Sequence, residues 1–140
     1  MDLPGPMVYV VMTEHQQYEL LKRLAKVISE DCEWGSTFRE ESWRAVSEQM
    51  QRIHPLFSVD RLKRKLRNLK RQYRLFSNLL SRRGVQWDRR TNSMAYAREG
   101  VWMSYVLEYP LGSQFRNNGI EPRLFDAMRD VFEAGVSIDG

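Results

Sequence analysis

The segment from residue 58 to residue 83, SVDRLKRKLRNLKRQYRLFSNLLSRR, constrains the fold more than any other part of the chain. Apolar side chains recur in it at alternating spacings of three and four, which is the period of one face of an α-helix. Ser58 suits the N-cap position, Asp60 lies in the first turn, and Gly84 follows as a C-terminal stop. The sequence therefore predicts one long helix, whose buried face is Val59, Leu62, Leu66, Leu69, Tyr73, Phe76 and Leu80.

The same segment concentrates the positive charge of the chain. It holds ten Lys or Arg residues and one acidic residue, whereas the rest of the chain holds 12 basic and 17 acidic residues. Like charges three and four residues apart destabilise a helix by roughly 0.2–0.5 kcal/mol per pair, and a bound polyanion offsets that cost. We therefore expect this helix to bind nucleic acid, and the alternative is a charged face that is merely solvated.

The composition is that of a globular protein with one domain. The chain has 140 residues, of which 42% are hydrophobic and 29% charged. Cys32 excludes an intramolecular disulfide because it is the only cysteine, and with His15 and His54 it cannot form a tetrahedral zinc site at these spacings. The apolar run near the N terminus is too short for a signal peptide or a membrane span, so we expect a soluble intracellular chain without a membrane partner.

Catalytic and single-strand-binding patterns are missing from the sequence. No nucleophile–histidine–acid set, phosphate-cradling glycine loop or metal cluster can be assembled, so we predict no enzymatic activity, no metal site and no cofactor. Tyr73 and Phe76 are the only aromatic residues inside the basic run, and both lie on its buried face. Base stacking on a single strand is therefore disfavoured.

Two shorter helices are predicted before the basic helix. Thr13 and Gln16 form a capping-box pattern at the start of a helix that runs to about residue 31. Thr37 and Glu40 repeat this pattern at the start of a second helix, which Pro55 stops near residue 52. Two helices followed by a basic third helix give the order of elements in helix-turn-helix DNA readers.

The C-terminal part predicts further helices. A loop or short hairpin anchored by Trp87 follows Gly84, and VWMSYVLEYP then predicts a fourth helix that stops at Pro110. A polar turn precedes a last helix from about residue 122 to 133, and the end of the chain is expected to fray. The predicted fold is an all-α, three-helix helix-turn-helix bundle with a long basic third helix and one or two C-terminal helices. Residues 1–12 form an N-terminal extension, residues 13–133 the domain and residues 134–140 a C-terminal tail.

The chain resembles the Myb/SANT-like domain family, which is related to trihelix and MADF domains. The matching segments are TEHQQYELLKRL, FREESWRAV, LKRKLRNLKRQYRLFSNLLSRRGVQWD, VWMSYVLEYP and FRNNGIEPRLFDAMRDVF. This resemblance implies a nuclear helix-turn-helix bundle that binds double-stranded DNA in transcription regulation or chromatin. It also implies an alternative, because SANT-type relatives often bind proteins, and chromatin proteins would then be the partners.

The side of the basic helix opposite its apolar face carries residues suited to the major groove. Arginine pairs bidentately with guanine, and asparagine with adenine. The candidates for contact with base edges are Arg64, Arg67, Asn68 and Arg71. Basic residues on the flanks are better suited to phosphate contact. The phosphate candidates are Arg61, Lys63, Lys65, Lys70 and Arg74.

Two groups of residues leave alternatives open. The first group either extends the basic surface or solubilises a loop, and it consists of Arg82, Arg83, Arg89 and Arg90. Leu75 and Leu79 lie off the apolar face, where they either receive the fourth helix or form an exposed protein-binding patch. We favour the first role because the fourth helix needs a surface to pack on.

Overall fold

Five α-helices, one β-hairpin and a 3-10 helix make up residues 11–138, which are the residues that the computed structural model describes. The elements in order are α1 (Glu14–Asp31), α2 (Glu40–Gln51), α3 (Val59–Ser81), β1 (Val85–Asp88), β2 (Ser93–Ala97), α4 (Val101–Glu108), the 3-10 helix (Pro110–Phe115) and α5 (Pro122–Phe132). Most of the predicted N-terminal extension and the last two residues of the predicted tail lie outside the described residues.

Side-chain caps mark the starts of α1, α3 and α5, whereas α2 and α4 begin without one. The predicted capping box of α1 is confirmed, since Thr13 Oγ1 accepts from the backbone N–H of Gln16 at 3.1 Å and the Gln16 side chain accepts from that of Thr13 at 3.0 Å. The capping box predicted for α2 is wrong. This helix begins at Glu40 without a side-chain cap, because Thr37 instead pairs its backbone with Ser137 in a parallel bridge.

The apolar face of α3 lies at the centre of the core. Leu62, Leu66, Leu69, Tyr73 and Phe76 are buried as predicted, and their burial supplies roughly 1.5–3 kcal/mol for each large side chain. Helices α2 and α5 each pack against both α1 and α3. The outward face of α3 is therefore left to solvent along most of the helix.

The segment after α3 forms a hairpin, which is one of the two structures predicted for it. The molecule is therefore mostly helical but not all-α. Strands β1 and β2 pair antiparallel, with a register shift between Gln86 and Trp87. The Trp87 ring lies edge-on to Phe76, with 5.1 Å between ring centroids, and its Nε1 donates to Asn92 Oδ1 at 3.2 Å. Trp87 thus anchors the hairpin to the core, as the sequence predicts.

Helix α4 is attached to the C-terminal half of α3, and the packing of Leu75 and Leu79 in the core argues against the exposed patch considered for them. Tyr105 is fully buried, and its hydroxyl donates to the backbone carbonyl of Leu75 at 2.7 Å. Leu79 is also fully buried, so it cannot contribute to an exposed patch. The predicted polar turn that follows contains the 3-10 helix, which buries Phe115.

The C-terminal segment is tied to the loop between α1 and α2, so the expectation of a frayed end is wrong as far as Ile138. Phe38 N–H donates to the carbonyl of Ser137 at 2.8 Å, and Ser137 N–H donates to that of Ser36 at 2.9 Å. Ile138 is 4% exposed and belongs to the core. Backbone pairing and one buried side chain therefore hold this segment in place.

Candidate nucleic-acid interface

The four residues predicted to reach base edges are all exposed on the outward face of α3. Within residues 11–138, no carboxylate forms an ion pair with Arg64, Arg67 or Arg71. Three guanidinium groups are therefore available to an anionic partner on one side of a helix whose opposite side is the core. Guanidinium groups suit such a partner because their donors match two acceptors at once.

Asn68 is exposed between these arginines and already has one hydrogen bond. Its Oδ1 accepts from Gln72 Nε2 at 3.2 Å. An amide oxygen has a second acceptor position, and the amide nitrogen keeps two hydrogens to donate. Asn68 thus retains the donor and the acceptor that pairing with adenine requires.

The five phosphate candidates differ in exposure. Arg61 and Arg74 are exposed, whereas Lys63, Lys65 and Lys70 are partly buried. Partial burial of a lysine on a helix follows from its long aliphatic stem, which covers apolar surface while the ammonium group stays near water. The three lysines on the flanks of α3 are therefore less exposed than the arginines on its outward face.

Lys63 is held by two groups of α2. Its ammonium lies 2.9 Å from Glu40 Oε2 and 5.9 Å from the centroid of the Trp43 ring. Contact between Lys63 and a phosphate would compete with this ion pair. The sequence does not reveal the pair, because the two charged residues are 23 positions apart and Glu40 matched a capping pattern instead.

Lys65 lies in a groove of about 190 Å³ beside Met12, Phe57 and Leu62. Burial lowers the pKa of Lys65, because an ammonium that has lost water is less stable in its charged form. Within the described part of the chain no carboxylate pairs with it. An anion placed in this groove would compensate for the lost hydration.

Arg82 belongs to a polar cluster between α3 and α4, which we call the α3–α4 brace (Asn78, Arg82, Glu108 and Tyr109). Its Nε donates to Asn78 Oδ1 at 3.0 Å, and a terminal nitrogen donates to Glu108 Oε2 at 2.6 Å. The hydrogen bond from Arg82 lowers the pKa of Glu108, so the carboxylate form is favoured. Arg82 therefore neither extends the basic surface nor solubilises a loop, whereas Arg83, Arg89 and Arg90 are exposed.

Asn78 is the residue near the basic face that the sequence did not single out. It lines an open groove together with basic residues of α3, and its amide nitrogen lies 3.5 Å from Tyr109 Oη. The signal was present in the spacing, because Asn78 follows Arg71 by seven residues and Arg74 by four on the same side of the helix. The candidates chosen on α3 end at Arg74, and Asn78 lies one helical turn beyond it.

The described part of the chain has neither a membrane-spanning helix nor a group of metal ligands. No helix there combines the length and the apolar character that crossing a bilayer requires. Among residues 11–138, no three His, Cys, Asp or Glu side chains are grouped as in a metal site.

Comparison with protein families gives a match over more than half of the chain. A family model described as the Myb/SANT-like DNA-binding domain matches residues 13–105. No curated protein and no solved structure matches the chain. The matched residues run from the N-cap of α1 to the buried tyrosine of α4, and they include the whole of α3.

Proposed function

Because the chain belongs to the family of Myb/SANT-like DNA-binding domains, we propose that it binds double-stranded DNA through the outward face of α3 and acts in the nucleus, in transcription regulation or chromatin. The observation that carries this proposal is the set of exposed guanidinium groups at Arg64, Arg67 and Arg71, none of which pairs with a carboxylate within residues 11–138. The core on the opposite side of α3 keeps the helix in place while this face meets the duplex.

The proposed roles follow from position on the helix. Arg64, Arg67, Asn68 and Arg71 lie in the major groove and contact base edges, where each good bidentate pair contributes roughly 1–3 kcal/mol of discrimination against a wrong base. The flanking residues contact phosphates, which fix the register of the helix on the duplex without reading sequence. These phosphate contacts are made by Arg61, Lys63, Lys65, Lys70 and Arg74.

A charge-reversal variant tests the recognition helix. Replacing Arg64, Arg67 and Arg71 by Glu is expected to abolish duplex binding in a fluorescence anisotropy titration, while the helical circular dichroism spectrum stays unchanged. The control variant has the same change in net charge outside α3. It replaces three exposed residues by Glu, namely Arg44, Arg98 and Arg123. Undiminished binding of the first variant, or an equal loss in the control, would contradict the assignment to α3.

Salt dependence provides a second test. Each neutralised phosphate contributes roughly −0.9 to the slope of log K against log[salt], so six contacts predict a slope of about −5. A slope near zero for the wild-type chain would contradict a DNA interface of this size.

An exposed apolar row on α4 and the 3-10 helix after it favours a second candidate function, a protein-interaction module of a chromatin-associated complex. Met103, Leu107 and Leu111 are 64%, 76% and 61% exposed and follow one another at intervals of four residues. Tyr105, on the opposite side of α4, is fully buried. Under this alternative, Leu107→Lys abolishes association with a purified partner, whereas under the DNA proposal it leaves the affinity for a duplex unchanged.

A further inference from the structure

An open groove runs along the second half of α3, and we call it the α3 trough. It has a volume of about 820 Å³. Four basic side chains of α3 and several polar ones line it, among them Arg67, Arg71, Arg74 and Asn78. Tyr109 at the end of α4 and Glu133 just after α5 line its two sides.

The charge available in the α3 trough lies in a row along the helix axis. Arg67, Arg71 and Arg74 are exposed, and no carboxylate among the described residues pairs with them. Asn78 continues the row at the next helical turn, so that the row extends over about 16 Å at 1.5 Å per residue. A row of this length suits an extended anion better than a single small ion.

The α3–α4 brace fixes the orientation of Asn78. Because Arg82 Nε donates to Asn78 Oδ1, the amide oxygen faces Arg82 and the amide nitrogen faces Tyr109, which lines the trough. The amide nitrogen has two hydrogens, and the contact with Tyr109 Oη uses one of them. Asn78 therefore presents a hydrogen-bond donor to the trough without adding a charge.

The opposite side of the α3 trough is acidic. Glu133 accepts a hydrogen bond from the Tyr73 hydroxyl at 3.1 Å, which holds the carboxylate at that side. A carboxylate repels an anion, so a phosphate would occupy the side that Arg74 and Asn78 share with Tyr109.

We propose that the α3 trough binds a backbone phosphate of the DNA between the Arg74 guanidinium and the Asn78 amide. This inference rests on the proposed function and deepens it, because it makes the end of α3 and the brace part of the interface. Helix α4 takes part indirectly, since Arg82 and Glu108 act as positioning residues for Asn78. A contact of this kind contributes affinity equally for every DNA sequence.

The test compares two Asn→Asp variants of the full chain. Asn78→Asp keeps the acceptor for Arg82 but replaces the donor by a negative charge, and Asn118→Asp makes the same change at an exposed loop position. We expect about tenfold weaker duplex binding for Asn78→Asp, by the same factor on two unrelated sequences, and little change for Asn118→Asp. Arg74→Gln is expected to reduce the steepness of log K against log[salt] by about 0.9.

The outcomes separate the two proposals. If the wild-type chain does not bind a duplex, the proposed function fails. If the wild-type chain binds, and Asn78→Asp weakens binding no more than Asn118→Asp does, only the trough proposal fails. An affinity loss that differs between the two DNA sequences also overturns it, because it indicates base contact. Circular dichroism and urea denaturation verify that each variant is folded as the wild type is.

Discussion

Glu40→Gln is expected to increase the affinity for DNA, although the substitution lies in α2. Glu40 holds the Lys63 ammonium at 2.9 Å, and the two side chains are 54% and 31% exposed. An ion pair this exposed contributes roughly 0.2–1 kcal/mol. Lys63 must give up the pair to meet a phosphate, so removing Glu40 can improve binding by no more than about that amount. One kcal/mol corresponds to about a fivefold change in affinity.

Fluorescence anisotropy with a labelled duplex at several salt concentrations measures the effect. We expect Glu40→Gln to bind up to about fivefold more tightly at low salt and its log K to depend more steeply on log[salt], by at most about 0.9. The matched control is Glu41→Gln, which removes the same charge from the next residue in the first turn of α2. Glu41 is exposed and, among the described residues, has no ion-pair partner.

The contribution of Lys63 is isolated by a double-mutant cycle. In a Lys63→Ala background, Glu40→Gln is expected to lose its advantage over Glu41→Gln, because no ammonium is left to release. Equal gains from the two single variants would refute the reasoning and attribute the effect to net charge. So would a gain from Glu40→Gln that persists without Lys63.

Three further predictions concern stability. Gly112→Ala places a methyl group 2.2 Å from Tyr105 Oη, so we expect a loss of about 1–3 kcal/mol in the free energy of unfolding, measured by urea denaturation. Thr13→Ala removes half of the capping box of α1 and is expected to cost about 1 kcal/mol in the same assay. The hydrogen bond from Arg23 lowers the pKa of Glu19 below its ordinary value of 4.5. This pair therefore stabilises the fold above pH 4.5, and the stabilisation is lost as the pH falls through the lowered pKa of Glu19. The urea denaturation midpoint should decrease less steeply in acid for Arg23→Gln than for the wild type.

The parts of the fold that the sequence predicts correctly are those set by local signals. The apolar face of α3, its Ser58 N-cap and the capping box at Thr13 each depend on residues within one or two helical turns. The anchoring role of Trp87 was also predicted from a local signal, because a large apolar side chain in a short polar segment is expected to pack into the core.

The predictions fail where a segment makes contacts with residues that are distant in the sequence. Thr37 has the sequence of a helix cap, yet its backbone pairs with Ser137, one hundred positions further along the chain. Phe115 lies in a stretch too polar to show an apolar period, although its ring lies 5.1 Å from that of Phe76. Periodicity cannot report such contacts, because they depend on how the elements meet in space.

The roles proposed for individual residues in DNA contact are predictions, and the structure supports some of them more than others. The helical period alone selects Arg64, Arg67 and Arg71, and these residues are exposed. It could not foresee that Lys63 is bound to α2, nor that Arg82 joins the brace. Both contacts depend on the side chains of neighbouring helices.

The return of the C-terminal segment to the loop between α1 and α2 has a practical consequence for recombinant work. The family match ends at residue 105, but a fragment cut there would lack α5 and the strand-like contact of residue 137, and the sides of α1 and α3 that they cover would face water. Such a fragment is expected to aggregate. A chimeric protein that includes this domain should contain residues up to 138, and the fusion partner should be attached beyond that point.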